Sequence, residues 1–523
     1  MIRILMVSLI LSAAAAAQTK LHRGNQGEPT TLDPQKFGLS LENVIMSEMF
    51  EGLVTSDDRD NIIPGLAETW TLSPDAKVYT FTLRPNLKWS DGKPITAEDA
   101  AFGLKRALDP KIQGSFGTFL VMIENGAEIV AGKMSHEKLG VRAVDARTLE
   151  IRLVRPTPTL LLYLANWPMT YPVPKHAVTA AADWAKPGKV VVSGPYNAVA
   201  WRPNDSIRLV RNPSYHSPKA VKTDEVIMYP TSDDAAALTR FRAKELDMNT
   251  RFPPLQIDWL RKNLPNETKV HPAVGLSYIV TNFRRKPFDD LRVRRALALA
   301  IDRTAITDKL LRNGEKESCG VVPFVLKDYV SACALDTRPL AVRQAEAKAL
   351  LAEAGFGPAK PLTFVFSQPG SQSGRQVAVA LQAMWAQVGV KSEILQAEAG
   401  VHFARLREGE FDVALAGWFA NADPEFFTYL LKSTSDEVNY GLYSSPKYDA
   451  AVSAAEMIVD RPKRMAAFRD AEAIALADQA MIPLLLPVHR LLVQTYVTGV
   501  TPNPGGGYPS RYISVARPGA AAP

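Results

Sequence analysis

Residues 66–106, LAETWTLSPDAKVYTFTLRPNLKWSDGKPITAEDAAFGLKR, decide how the rest of the chain reads. Within them, 78–83 (VYTFTL) alternates aromatic or aliphatic residues with small polar ones, the pattern of a half-buried strand. Ser90-Asp91-Gly92 predicts a turn, and Thr96-Ala97-Glu98-Asp99 opens a helix. Thr96 suits the N-cap, and acidic side chains in the first turn suit the positive end of the helix dipole.

The wording of this stretch carries more than local structure. Trp70 stands shortly before Ser73-Pro74-Asp75, the strand ends in Leu83-Arg84, and Lys88-Trp89-Ser90-Asp91-Gly92-Lys93-Pro94 leads to Thr96-Ala97-Glu98-Asp99. Together these resemble the bacterial extracellular solute-binding proteins of family 5, the oligopeptide- and dipeptide-binding receptors of ABC importers. The resemblance extends over nearly the whole mature chain. It implies an α/β fold, a two-lobed periplasmic binding protein (type II, peptide-binding class) with an additional inserted subdomain. The partners implied are a peptide or peptide-like solute and the importer's permease subunits with their ATPases. No cofactor is implied.

Composition agrees with an exported soluble receptor. The 523 residues are 46% hydrophobic and 22% charged, enough for two or three domains with a large core. Arg3, the apolar run 4–11 (ILMVSLIL) and the alanines at 13–17 form a leader with an Ala-x-Ala site, so cleavage before Gln18 is expected. No cysteine follows, so no lipid anchor is expected, and the mature protein is read as periplasmic. The formal charge of +7 is spread without runs or interleaved aromatics, which argues against nucleic-acid binding. Cys319 and Cys333 are expected to close a small loop in an oxidising compartment; two buried free thiols are the alternative. The seven histidines show no His-x-x-x-His spacing, so no metal site is assigned.

Taken in order, 1–17 is the leader, and 18–55, 189–276 and 496–523 compose the first lobe. Residues 56–188 form the insertion, and 277–495 the second lobe. In the second lobe, strand-like 362–366, 392–397 and 412–417 alternate with helical 374–388 and 401–407. Alternation at these lengths predicts a parallel sheet with right-handed crossovers. One continuous helix is expected over 293–311 and another over about 450–477. A monomer is expected.

Candidate ligand contacts follow from the resemblance and from position. The loop Glu28-Pro29-Thr30-Thr31-Leu32-Asp33-Pro34 resembles the family's cleft-lining loop, which nominates Glu28 and Thr30. Phe116 lies in a Gly- and Ser-containing segment able to offer an aromatic ring. Gly417 ends a predicted strand, and Trp418, Asn421 and Asp423 follow it at its carboxyl end, where ligands of parallel sheets gather. Oligopeptide receptors of the family usually have x-Ala-Asp-Tyr after this tryptophan, and that aspartate binds the peptide ammonium. Here Asn421 takes its place, and Asp423 is the candidate replacement. Leu415 stands where some receptors have an arginine for the peptide carboxylate, and Arg375 is the candidate replacement.

Catalytic wording is sparse: no Walker A loop, His-Glu-x-x-His or Gly-x-Ser-x-Gly occurs, and no catalytic residue is assigned. The reading is a solute receptor working by hinge closure. An opine-like conjugate or oligosaccharide as ligand, or an exported hydrolase, are the alternatives.

Overall fold

The computed structural model describes residues 19–517, apart from 113, 115, 116 and 334. The expected leader, its cleavage point before Gln18 and the reading of Phe116 lie outside the described residues. Within 66–106 the local expectations hold. Strand Val78–Leu83 buries Tyr79, Phe81 and Leu83 and leaves the residues between them half-exposed. It pairs antiparallel with Ala67–Leu72 and Thr148–Arg152 in a four-stranded sheet. Helix Ala97–Ala107 starts at Thr96, whose backbone N–H donates to Asp99 Oδ2 at 2.9 Å, so the helix entry is closed reciprocally. This insertion has its own sheet but, among the described residues, shares its core with the first lobe. Phe81, Trp89 and Leu104 share one continuous apolar cluster with Leu21, Leu209 and Val226 of the first lobe. Burying a side chain such as Phe81 contributes about 1.5–3 kcal/mol, so insertion and first lobe stabilise one another.

The first lobe is organised on a seven-stranded sheet ordered Thr268–Pro272, Val488–Val493, Met248–Asn249, Lys20–Gly24, Glu225–Tyr229, Ser206–Arg211 and Tyr196–Arg202. Lys20–Gly24 runs parallel to both Glu225–Tyr229 and Met248–Asn249. The second lobe has a six-stranded sheet ordered Lys316–Glu317, Ile482–Leu486, Gly275–Thr281, Val413–Phe419, Thr363–Pro369 and Lys391–Ala397. Its two faces are covered by separate apolar clusters, one around Phe427, Tyr448 and Phe468, the other around Phe366, Leu381 and Trp385.

Three expectations need correction. The second sheet is mixed: Thr363–Pro369, Lys391–Ala397 and Val413–Phe419 are parallel as expected, but Gly275–Thr281 is antiparallel to Val413–Phe419 and Ile482–Leu486. The cause is connectivity, because one strand leaves the first lobe while its neighbours run back toward it. The return also comes earlier than 496, since Val488–Val493 already pairs with Thr268–Pro272 in the first sheet. Finally, both long helices are broken. Asp302 and Asp460 accept hydrogen bonds from Ala305 N (3.0 Å) and Lys463 N (3.0 Å), capping new helical segments Ala305–Leu311 and Arg461–Ala477. Apolar periodicity runs through such breaks, which is why it does not mark them.

The chain crosses between the two sheets twice, at 273–274 and at 487, and this double crossing is called the hinge below. Strand directions follow from it. Thr268–Pro272 runs toward the hinge and Val488–Val493 away, so Met248–Asn249, antiparallel to the latter, and its parallel neighbours also end on the hinge side. In the second lobe Val413–Phe419 ends opposite Gly275, and its parallel neighbours end on the same side. Both lobes therefore turn the carboxyl ends of parallel strands toward one interlobe cleft, the place where such sheets hold ligands.

Candidate functional site: the interlobe cleft

From the first lobe, the loops after Gly24, Tyr229 and Asn249 reach the cleft. The loop after Gly24 is fixed by buried acids. Glu42 accepts hydrogen bonds from Thr30 N (2.7 Å), Thr30 Oγ1 (2.6 Å), Gly38 N (2.8 Å) and Leu39 N (3.1 Å). Burial pushes its carboxyl up, but these bonds outweigh burial and hold it below the usual carboxylate range. Asp33 accepts Gln35 N at 3.2 Å and takes a two-pronged ion pair from Arg106 at 2.7 and 2.6 Å. Of the two nominated residues, Thr30 donates its hydroxyl to Glu42, and Glu28 accepts the Trp201 indole N–H at 2.6 Å. Gln26 Nε2 donates to Thr250 Oγ1 at 3.2 Å, tying two of the three loops together.

The second lobe contributes the ends of two adjacent parallel strands. Arg375 sits exposed in the first turn of helix Gln372–Ala386, and its guanidinium donates to Gly370 O at 2.6 Å. Gly417 is open: a Cβ there would meet only Leu276 O, at 3.7 Å. Trp418 is half-buried and Phe419 is 63% exposed at the hinge. Among the described residues, the indole Nε1 of Trp418 and the amide Nδ2 of Asn421 are both buried without a hydrogen-bond partner.

Asp423 is not the free carboxylate expected to replace the missing aspartate. It is 3% exposed, its Oδ2 lies 2.5 Å from Arg464 Nη1, and its Oδ1 accepts Glu425 N at 3.0 Å. Arg464 also holds Glu425 at 2.6 Å. An acid this deeply paired positions the loop and is not available to a solute.

Sequence reasoning missed an aromatic contact between the insertion and the second lobe. Phe119, Tyr163 and Trp167 of the insertion form a ring cluster, with Phe119 and Trp167 centroids 4.7 Å apart. Tyr163 continues it to Phe426 of the second lobe at 5.4 Å. Tyr163 and Trp167 are four residues apart, one helical turn, and that spacing was the available signal. Arg464 sits in an ordinary helix and offered none. Cys319 and Cys333 are joined in a disulfide with Cα atoms 5.8 Å apart. The loop it closes is gathered on buried Glu472, which accepts from Val322 N (2.9 Å), Tyr329 Oη (2.8 Å), Ser331 Oγ (3.0 Å) and Ala332 N (2.8 Å). Among the described residues no group of three or more His, Cys, Asp or Glu side chains is placed to hold a metal ion, and no helix is long and apolar enough to cross a membrane.

Two lobes joined by two crossings, with the carboxyl ends of their parallel strands turned toward those crossings, define a two-lobed solute-binding protein. Known proteins agree. Residues 61–439 match the model of "Bacterial extracellular solute-binding proteins, family 5 Middle". The chain is 35% identical to the probable deoxycholate-binding periplasmic protein YgiS of Escherichia coli, covering 92% of this chain and 91% of that protein. It is 34% identical to the periplasmic oligopeptide-binding protein OppA of the same organism, covering 93% and 90%. The unliganded open form of the murein tripeptide-binding protein MppA superimposes with a TM-score of 0.85 at 31% identity, over 96% of this chain and 98% of that one. This chain belongs to the bacterial extracellular solute-binding proteins, family 5.

Proposed function

We propose that the chain is the periplasmic capture component of an ABC importer, closing on a peptide or peptide-like solute and presenting the closed form to the permease subunits and their ATPases. Hinge closure is the mechanism: solute bound to both sets of strand ends favours the closed form over the open one. The observation that carries this reading is the facing of the two sets of parallel-strand carboxyl ends across the hinge. Relatives named as oligopeptide- and murein peptide-binding proteins support the peptide class. The protein is read as a monomer, exported by a cleaved leader without a lipid anchor. N-terminal sequencing of the exported protein should begin at Gln18. Calorimetry with defined di- to pentapeptide pools should show saturable binding, and its absence for every pool sinks the peptide reading.

A second reading is favoured by the chemistry beside Trp418. With Asn421 neutral and Asp423 held by Arg464, the loop offers unpartnered N–H donors and no free carboxylate. Such a site suits a solute that presents an acceptor, a carboxylate or carbonyl, where a free peptide would present its ammonium. The relative named for deoxycholate is an amphipathic-acid precedent at 35% identity. Competition between a peptide, its N-acetylated form and deoxycholate separates the two. Preference for the free amine discards the second reading.

A further inference from the structure

The lobes also meet away from the hinge. Helix Leu160–Asn166 of the insertion is rooted in the first-lobe core by Leu160, Leu164 and Ala165. Tyr163, on the same helix, instead joins the apolar cluster of the second lobe, 5.4 Å from Phe426. Just before the helix, Thr159 Oγ1 donates to Glu425 Oε2 at 3.2 Å, and Arg155 Nη1 lies 3.0 Å from Glu456 Oε2. Behind this contact, Arg464 bridges Asp423 and Glu425, and Lys432 holds Glu456 at 2.9 Å. Three acids and three bases are thus gathered at one interlobe seam, and the loop carrying Asn421 is part of it.

We propose that this seam is a proton-dependent clasp, in which closure of the insertion onto the second lobe favours a protonated Glu425, so that acidification stabilises the clasped form. The groups around Glu425 set the direction. Burial pushes its carboxyl up first; Arg464 opposes this, Asp423 and Glu456 add to it, and Arg155 opposes weakly, leaving the carboxyl at about 7. Lys432 faces Glu456, and Tyr163 with Thr159 supplies the insertion side. Among the described residues, Asp423 takes a backbone N–H in addition to Arg464, whereas Glu425 takes Arg464 and the Thr159 hydroxyl. A neutral Glu425 still accepts from Thr159, so protonation leaves the seam's hydrogen bond in place. Unclasping removes Tyr163 and Thr159 and admits water, which returns the carboxyl toward the ordinary carboxylate range. Protons then favour the clasped state, because it is the state that binds them more tightly.

The clasp builds on the solute-capture reading only for its purpose, and its test needs no solute. Spin labels on K133C and D436C, exposed positions on the insertion and the second lobe, report the separation of the two in the ligand-free protein. The ratio of short to long separations should rise on the order of tenfold between pH 8 and pH 5.5. Glu425→Gln, nearly isosteric and able to keep the Thr159 bond, should show the acidic ratio at every pH. Thr159→Val should lower the short-distance share at pH 5.5. Melting curves check that each variant is folded. A pH-independent ratio in the parent, or unchanged pH dependence in Glu425→Gln, overturns the clasp. If solute binding persists in either case, capture stands without it.

Discussion

At the hinge, Gly275 packs so closely that an added Cβ would stand 2.8 Å from Pro487 and 2.9 Å from Phe419, and residues 272–276 and 485–488 carry no charge. At the seam formed by residues 155–163, the same two lobes meet through Arg155, Thr159, Tyr163 and a set of buried acids. The first contact is covalent, apolar and sterically tight, so it fixes an axis and responds to little besides side-chain volume. The second is non-covalent and ionisable, so its strength depends on protonation. A binding protein that must open and close can keep its geometry in one place and its adjustable energetics in another.

The largest effect should come from breaking the seam's internal support. Asp423→Ala leaves Arg464 and Glu425 imperfectly paired in a buried setting, and should cost about 3–5 kcal/mol in urea unfolding. A cost under about 1 kcal/mol would mean that the Asp423–Arg464 pair gives the seam no more support than a surface ion pair. Next, reducing the Cys319–Cys333 bridge, which belongs to neither contact, should lower stability by about 3 kcal/mol through loop-closure entropy. Both the hinge and the seam should keep their interlobe distances; a change in them would show that the bridged loop takes part.

A smaller loss is expected at the hinge itself. Gly275→Ala overpacks Pro487 and Phe419 and should cost about 1–3 kcal/mol, with altered interlobe distances at all pH values. Distances that change only at alkaline pH would move the pH response from the seam to the hinge.

The smallest effect is the pH dependence of stability carried by Glu425. Its carboxyl is lifted by burial to about 7, above its value in the unfolded chain. Its contribution is therefore fully present below the ordinary carboxylate range and is lost as pH rises through about 7. Parent minus Glu425→Gln stability should fall by about 1–2 kcal/mol between pH 5 and pH 7.5. Glu42 and Glu51, held below their usual range, contribute with the opposite sign but cancel in that difference. A flat difference would mean that the seam does not titrate.

Local chemistry made much of this protein legible before any coordinates. Alternation in Val78–Leu83, the Thr96 cap, the cysteine pair and the strand–helix alternation of the second lobe are each decided by neighbours in sequence, and each falls where expected. The same alternation put Gly417 and Trp418 at the carboxyl end of a strand, which runs as far as Phe419. What the sequence left open depends on partners far along the chain. Asp423 reads as a free acid until Arg464, forty-one residues later, is found against it. Tyr163 reads as one more core aromatic until the second lobe supplies Phe426. The direction of Gly275–Thr281 depends on where the chain crosses between lobes, and the break before Arg461 on a capping bond that periodicity does not register. Backbone preference and apolar period act over a few residues and so survive in the one-dimensional text. The pairing of a buried charge is a three-dimensional event, and tertiary structure alone decided whether Asp423 faced a solute or an arginine.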